Sequence, residues 1–329
     1  MTFLGIDTSN YTTSVAAVCE SGVVSLRRLL DVKQGERGIR QSDGVFMHLK
    51  QLPDLYAQLA KEVDTSAIKA VGASAKPRNV EGSYMPVFLA GYGYARVIAD
   101  TLGVPLIEFS HQDGHIMAGI HSAGCEDLLL EKFLSVHLSG GTTEILVSEY
   151  KSGRFLNEIV GGTKDISAGQ LIDRTGVHLG LSFPAGKHME ELAYDATSQV
   201  RLPVSVQGGY MNFSGAETKA IQLCSEHSRE DMALAVFMCV AKALEKTINH
   251  CIAENGTEKV LIVGGVASNG IIRKYLSENI SGKVYFADKE YSTDNAAGIA
   301  VLTKKFAENG YGTENRNSIT DKSVCQENP

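Results

Sequence analysis

The chain has 329 residues, enough for two domains of ordinary size, and its 43% hydrophobic and 21% charged residues are those of a globular protein, which excludes a disordered, fibrous or multi-span membrane chain. With 31 Lys and Arg against 38 Asp and Glu the net charge is -7, so no global positive field draws nucleic acid to it. No apolar run reaches the roughly 18 residues of a membrane span, and the stretch FLGI after Met1 is too short for a signal peptide. A cytoplasmic protein without membrane attachment is expected. The six cysteines are scattered with no CxxC pair, as reduced thiols would be.

In chain order, the alternation of apolar residues predicts a strand over Phe3 to Ile6, a hydroxyl-rich turn over Asp7 to Thr13, and strands over Ser14 to Val18 and Val23 to Leu30. An amphipathic helix over Val45 to Lys61 leads to a short strand, Ala70 to Ser74. A second helix, Tyr84 to Thr101, runs into a strand over Pro105 to Glu108. The pattern then restarts. Strands over Phe133 to Leu138 and Glu144 to Glu149 flank the turn Ser139-Gly140-Gly141-Thr142-Thr143, and Phe155 to Ile159 continues the meander. Helices follow over Ser167 to Leu179, Lys187 to Ala196, Gly215 to Glu226 and Arg229 to Glu254. The strand Val260 to Val263 precedes Gly264-Gly265-Val266-Ala267-Ser268-Asn269, which opens a helix. A strand over Val284 to Ala287 and a helix over Thr293 to Glu308 close the series.

Two β-meander-plus-α/β halves in tandem predict an α/β chain of the two-lobed actin-like ATPase fold, with a nucleotide or metal cleft between lobes. The expected organisation is an N-terminal lobe over residues 1–110, a C-terminal lobe with helical insertions over 111–308, and a polar tail over 309–329. Neither GxxxxGK(S/T) nor GxGxxG after a strand is present, so P-loop and dinucleotide readings are weak.

Several motifs have a chemical reading beside a structural one. His111 and His115, at i and i+4, place two imidazoles on one helix face where they can share a metal, or they are surface histidines behind a Ser110 cap. Asp294, at the start of the last helix, is a candidate third ligand or a capping carboxylate. The glycines of Ser139-Gly140-Gly141-Thr142 can turn backbone N–H groups toward a phosphate, or simply make a tight hairpin. Asp173 and Glu190, with Gly186 between them, can hold ribose hydroxyls or lie on solvated helix faces. Asn269 can hydrogen-bond a nucleotide or cap its helix.

Taken together, Asp7-Thr8-Ser9, His111-x3-His115, Ser139-Gly140-Gly141, Asp173 with Gly186, Asn212-Phe213-Ser214-Gly215, Gly264 to Asn269 and Thr293 to Ala297 resemble the TsaD/Gcp family, over roughly residues 3 to 303. These are glycoprotease-like proteins that transfer a threonylcarbamoyl group to N6 of an anticodon-adjacent adenosine in tRNA. The resemblance implies iron(II), or another divalent metal, held by His111, His115 and Asp294. It implies a nucleotide substrate (threonylcarbamoyl-AMP, or an ATP- or AMP-like molecule) held by Ser139, Gly140, Gly141, Thr142, Asp173, Gly186, Glu190 and Asn269, with no side-chain nucleophile. Partners implied are tRNA and accessory proteins like TsaB and TsaE.

The chain departs from the family pattern around the substrate. Asn10-Tyr11-Thr12 stands where Cys-Asp-Glu is usual, and Thr142 replaces a histidine. The segment Ala75 to Gly82 replaces a Gly-Pro-Gly-Leu stretch, and Glu217 stands where lysine is usual. A second function class therefore stays open: a diverged paralogue that binds a nucleotide or acyl-adenylate and carbamoylates another acceptor, or is inactive. A sugar kinase of the same fold would need a carboxylate base, and the imidazole pair argues against it.

Overall fold

Residues 1–9, 11–31, 39–291 and 296–310 are described by the computed structural model. The chain divides into two units, the first comprising Met1–Gly114, Lys151–Arg154 and Ile299–Pro329, the second His115–Tyr150 and Phe155–Gly298.

In the first unit five strands, β1 (Thr2–Ser9), β2 (Thr12–Cys19), β3 (Gly22–Leu29), β4 (Ile68–Lys76) and β5 (Leu106–Ser110), form one sheet in the order β3-β2-β1-β4-β5. The first three are an antiparallel meander, whereas β4 and β5 run parallel to β1, so three carboxyl ends share one edge. Two helices, α1 (Gln41–Glu62) and α2 (Phe88–Leu102), belong to this unit. The buried positions Gly44, His48, Leu52, Leu55 and Leu59 of α1 recur every three or four residues. Its three leucines pack with Leu4, Ile6, Val15 and Ala17 of the sheet and Ala95 and Ala99 of α2. Each such leucine contributes about 1.5–3 kcal/mol by burial. The α2 helix starts at Phe88, later than the sequence pattern suggests, because Pro86 pushes the preceding residue out of helical backbone. It ends on Gly103, whose φ of 66° gives the left-handed cap glycine allows.

The sequence places a turn at Asp7, yet β1 runs on to Ser9 and pairs Asp7 with Ser14, Thr8 with Thr13 and Ser9 with Thr12. β-Branched threonines suit a pleated, buried pair, so the hydroxyl-rich segment is strand rather than loop. Thr8 is fully buried, its hydroxyl donating to the Val87 carbonyl (2.9 Å) and accepting from Gly91 N–H (3.0 Å), which fixes the start of α2.

The second unit repeats the plan and adds to it. Its sheet contains β6 (Phe133–Leu138), β7 (Thr143–Lys151), β8 (Arg154–Thr163), β9 (Ser205–Gln207), β10 (Tyr210–Asn212), β11 (Lys259–Val263) and β12 (Lys283–Phe286) in the order β12-β11-β6-β7-β8-β10-β9. The run β8-β7-β6-β11-β12 mirrors β3-β2-β1-β4-β5, with β11 and β12 again parallel to the first strand of the meander. The hairpin β9–β10 has three-residue strands, too short for any periodicity to announce it.

One helix, α3 (His111–Ser122), contains the division between the units; α4 (Ala168–His178), α5 (Gly186–Ala193), α6 (Ser214–Leu223), α7 (Arg229–Asn255) and α8 (Gly270–Asn279) follow, and α9 (Ala296–Glu308) is the last. The long α7 helix buries Ala233, Val236, Val240, Leu244 and Ile248 in the core of the second unit. Among the described residues no helix is long and apolar enough to cross a membrane.

Candidate functional site

In the second unit the parallel strands β6 and β11 end side by side, with Val263 opposite His137. Their carboxyl ends release two turns at one edge, the usual ligand edge of an α/β sheet. The first is Ser139 to Thr142, closed by Ser139 N–H to the Thr142 carbonyl (2.9 Å) and Thr142 N–H to Ser139 Oγ (3.0 Å). The second begins at Gly264, whose φ of 101° suits glycine. A Cβ there would overlap the Leu138 carbonyl, so the two turns lie in direct backbone contact.

The start of α4 is pinned to the first turn. Ser167 Oγ donates to the Gly140 carbonyl (2.8 Å), and Ala168 N–H donates to Thr143 Oγ1 (2.9 Å). Ser167 and Gln170 complete a reciprocal capping box. Gly169 approaches the turn so closely that a Cβ would meet Gly140 Cα at 2.5 Å. Gly140 and Gly141 themselves differ: neither takes a positive φ, and a Cβ on either meets nothing within 4 Å. Neither backbone conformation nor packing therefore calls for glycine at these two positions.

Three polar groups named from sequence serve helix starts. Asn269, 6% exposed, caps α8 through Oδ1, which accepts from Ile272 N–H (2.9 Å), while its buried Nδ2 has no hydrogen-bond partner. A buried amide donor left unmade costs about 1–3 kcal/mol, so this nitrogen is suited to a ligand acceptor. Glu190 Oε1 accepts from Gly270 N–H (2.6 Å) and the Tyr194 hydroxyl (3.3 Å), tying α5 to the turn that carries Asn269. Asp173 Oδ1 accepts from Ala185 N–H (2.8 Å) just before α5; burial pushes its carboxyl above the ordinary value, against the pull of the Ala185 and Gly186 N–H groups. Gly186 opens α5, and a Cβ there would touch only Ile172, at 3.9 Å.

The histidine pair falls on α3, which starts at His111 as soon as β5 ends. In the first unit, His111 Nδ1 lies 2.9 Å from Asp7 Oδ1, and Ser74 Oγ donates to that same oxygen. Burial pushes the Asp7 carboxyl up, but His111 and the hydroxyls of Ser74 and Ser9 outweigh it and hold the group below the ordinary carboxylate range. Asp113, between the histidines, accepts from Asn79 Nδ2 (2.7 Å) and Ser110 N–H (3.1 Å), with burial raising its pKa. In the second unit His115, 8% exposed, packs against His137 with ring centroids 4.6 Å apart and planes tilted by 48°. Asp294 lies outside the described residues, and among those described no cluster of three or more His, Cys, Asp or Glu is gathered for a metal.

Sequence reasoning missed the roles of Asp7, Asn79, Asp113 and His137. Asp7 carried a signal, an acidic residue at the end of an otherwise apolar strand; His137 carried none, since one imidazole in a strand is ordinary.

The two sheets and their helices have the α/β plan of the actin-like ATPase fold. HypF of T. kodakarensis, a solved structure, superposes with a TM-score of 0.63 over 94% of this chain and 48% of that one, at 14% identity. The family model described as "TsaD: tRNA N6-adenosine threonylcarbamoyltransferase" matches residues 35–301, and the chain belongs to this transferase family. A protein of Archaeoglobus fulgidus named tRNA N6-adenosine threonylcarbamoyltransferase is 29% identical over 317 residues, 95% of this chain and 94% of its own length. A probable bifunctional tRNA threonylcarbamoyladenosine biosynthesis protein of Thermoplasma volcanium is 28% identical over 305 residues, and the match spans 91% of this chain but only 55% of that protein.

Proposed function

We propose that the chain transfers the threonylcarbamoyl group of threonylcarbamoyl-AMP to N6 of an adenosine beside the tRNA anticodon. A C–N bond forms at the carbamoyl carbon, the C–O bond to the phosphate breaks, AMP leaves, and the amine proton passes to solvent. The observation that carries the reading is the buried, unpartnered Nδ2 of Asn269, at the end of the turn that packs on the glycine-lined Ser139–Thr142 turn. Backbone N–H groups of Gly140 and Gly141 would hold the phosphate, Asn269 would donate to the nucleotide, and Asp173, Gly186 and Glu190 would shape the ribose side. No nucleophilic side chain is needed, because the acceptor amine attacks directly.

Two imidazoles one turn apart on α3 suit a divalent metal, iron(II) in this reading, with Asp294 as the third ligand. Such a metal supplies Lewis-acid polarisation of the acyl group when bound. The proposed partners are tRNA and TsaB- and TsaE-like proteins, in the cytoplasm.

Two observations favour the paralogue reading. Glu217, where the family pattern has lysine, is paired with Arg174 at 3.2 Å, and Asn79 of the altered 75–82 segment is held by Asp113. These departures are built into the chain's own bonding rather than left loose. Supplying iron, threonylcarbamoyl-AMP and unmodified tRNA, then assaying the nucleoside by mass spectrometry beside His111→Ala, separates the two. Product lost in the variant supports transfer to tRNA. Bound nucleotide without product, while a typical family member is active in parallel, favours another acceptor.

A further inference from the structure

The carboxyl edge of the first sheet holds a side-chain relay that ends on His111. Asp7 near the end of β1, Ser74 near the end of β4 and His111 directly after β5 meet there. Asp7 is only 1% exposed, and its Oδ1 sits 2.9 Å from His111 Nδ1 while taking the Ser74 hydroxyl hydrogen bond. With Oδ1 already accepting from the Ser74 hydroxyl, the arrangement that satisfies both contacts puts the hydrogen of the Asp7–His111 bond on Nδ1. In the neutral ring that leaves the lone pair on Nε2. His111 keeps 20% of its side chain accessible, whereas Asp7 is closed off.

We propose that Asp7, steadied by Ser74, is a positioning residue for His111: it retains the Nδ1 proton and thereby presents Nε2 as the nitrogen that binds metal. The proposal rests on the reading of His111 as a metal ligand. Imidazole ligands are commonly oriented in this way, and losing the orienting group lowers metal affinity by about 10–100-fold. A buried ion pair kept only for stability would lower the unfolding midpoint on mutation without setting which nitrogen is protonated.

The test uses the full chain, free of metal, with ¹⁵N-labelled histidine. NMR reads the tautomer of His111, whose signals are identified by their loss in His111→Ala. The native protein is expected to carry the proton on Nδ1, and Asp7→Asn is expected to shift His111 toward the Nε2–H form. Titration with Co²⁺ or Fe²⁺ should show affinity falling about 10–100-fold in Asp7→Asn. Ser74→Ala, which leaves the carboxylate in place and guards against a misfolded Asp7 variant, should move both readouts the same way by a smaller factor. Native His111 protonated on Nε2, or variants that keep the native tautomer and affinity, would overturn the proposal. Should His111→Ala itself leave metal affinity unchanged, the metal reading fails, and the tautomer still decides the Asp7–His111 bond independently.

Discussion

The two units share a sheet plan and use its carboxyl edge differently. In the first unit buried carboxylates reach mainly side chains: Asp7 holds His111 and Ser74, and Asp113 holds Asn79 beside the Ser110 N–H. In the second, carboxylates accept mainly from backbone N–H groups: Asp173 from Ala185 and Glu190 from Gly270 at helix starts, and Asp231 from Thr197 and Ser198 in the segment after α5. Two glycines that need no special backbone are then left facing open space. One edge is built to fix side chains, the other to present main chain, as expected if the first supports a metal ligand and the second a phosphorylated ligand.

The sharpest break of that comparison is between glycines of the second unit. Gly264→Ala forces a side chain onto a φ of 101° and into the Leu138 carbonyl. The strain alone should cost about 1–3 kcal/mol, and the overlap adds to it. Urea unfolding should show the loss, and adenine-nucleotide binding should fall with it. Gly140→Ala has neither problem, since nothing lies within 4 Å of its Cβ. Its unfolding curve should match the native one while nucleotide affinity drops several-fold. Equal, unaltered affinity in Gly140→Ala would remove the phosphate role from this turn.

Asn269 separates cap from ligand group. Asn269→Ala removes both the bond to Ile272 N–H and the buried Nδ2, and should lower stability by about 0.5–2 kcal/mol along with nucleotide affinity. Asn269→Asp keeps an oxygen for the cap but replaces the donor by an acceptor. Calorimetry should therefore show near-native stability with affinity reduced at least tenfold, since a phosphate or base acceptor would now face a carboxylate. Native affinity in the Asp variant would leave Asn269 a cap alone.

Much of this arrangement was legible in the sequence. The tandem meanders, the order of helices and strands apart from α3 and the β9–β10 hairpin, and the Ser139–Thr142 and Gly264–Asn269 turns followed from periodicity and from glycines grouped after apolar runs. What escaped was set by distance along the chain. Asp7 meets His111 across 104 positions and Glu190 meets Gly270 across 80, and no local pattern encodes such partners. The segment Asp7–Ser9 was misjudged for the opposite reason: its hydroxyls look like a turn, but the register with Ser14, Thr13 and Thr12 buries them in a strand. Asp173 and Glu190 were legible as polar groups near helix entries, but not as acceptors for particular N–H groups.

The smallest effect tests the claim that carboxylates of the second unit serve backbone. Asp231 accepts from Ser198 N–H (2.8 Å), Ser198 Oγ (2.8 Å) and Thr197 N–H (2.8 Å) at the start of α7. The N–H of Ser198 leads in lowering its pKa from 3.8 to about 2. A carboxyl depressed in the folded state stabilises at pH values above its unfolded value, and that contribution disappears as pH falls from about 3.8 to about 2. Asp231→Asn should therefore unfold at lower urea than the native chain at neutral pH. The gap should stay constant down to about pH 4 and close by about pH 2, because the native carboxyl is then protonated too. A gap that persists unchanged to pH 2 would mean that the shape of the side chain, rather than its charge on the N–H groups, holds the 197–198 turn against α7.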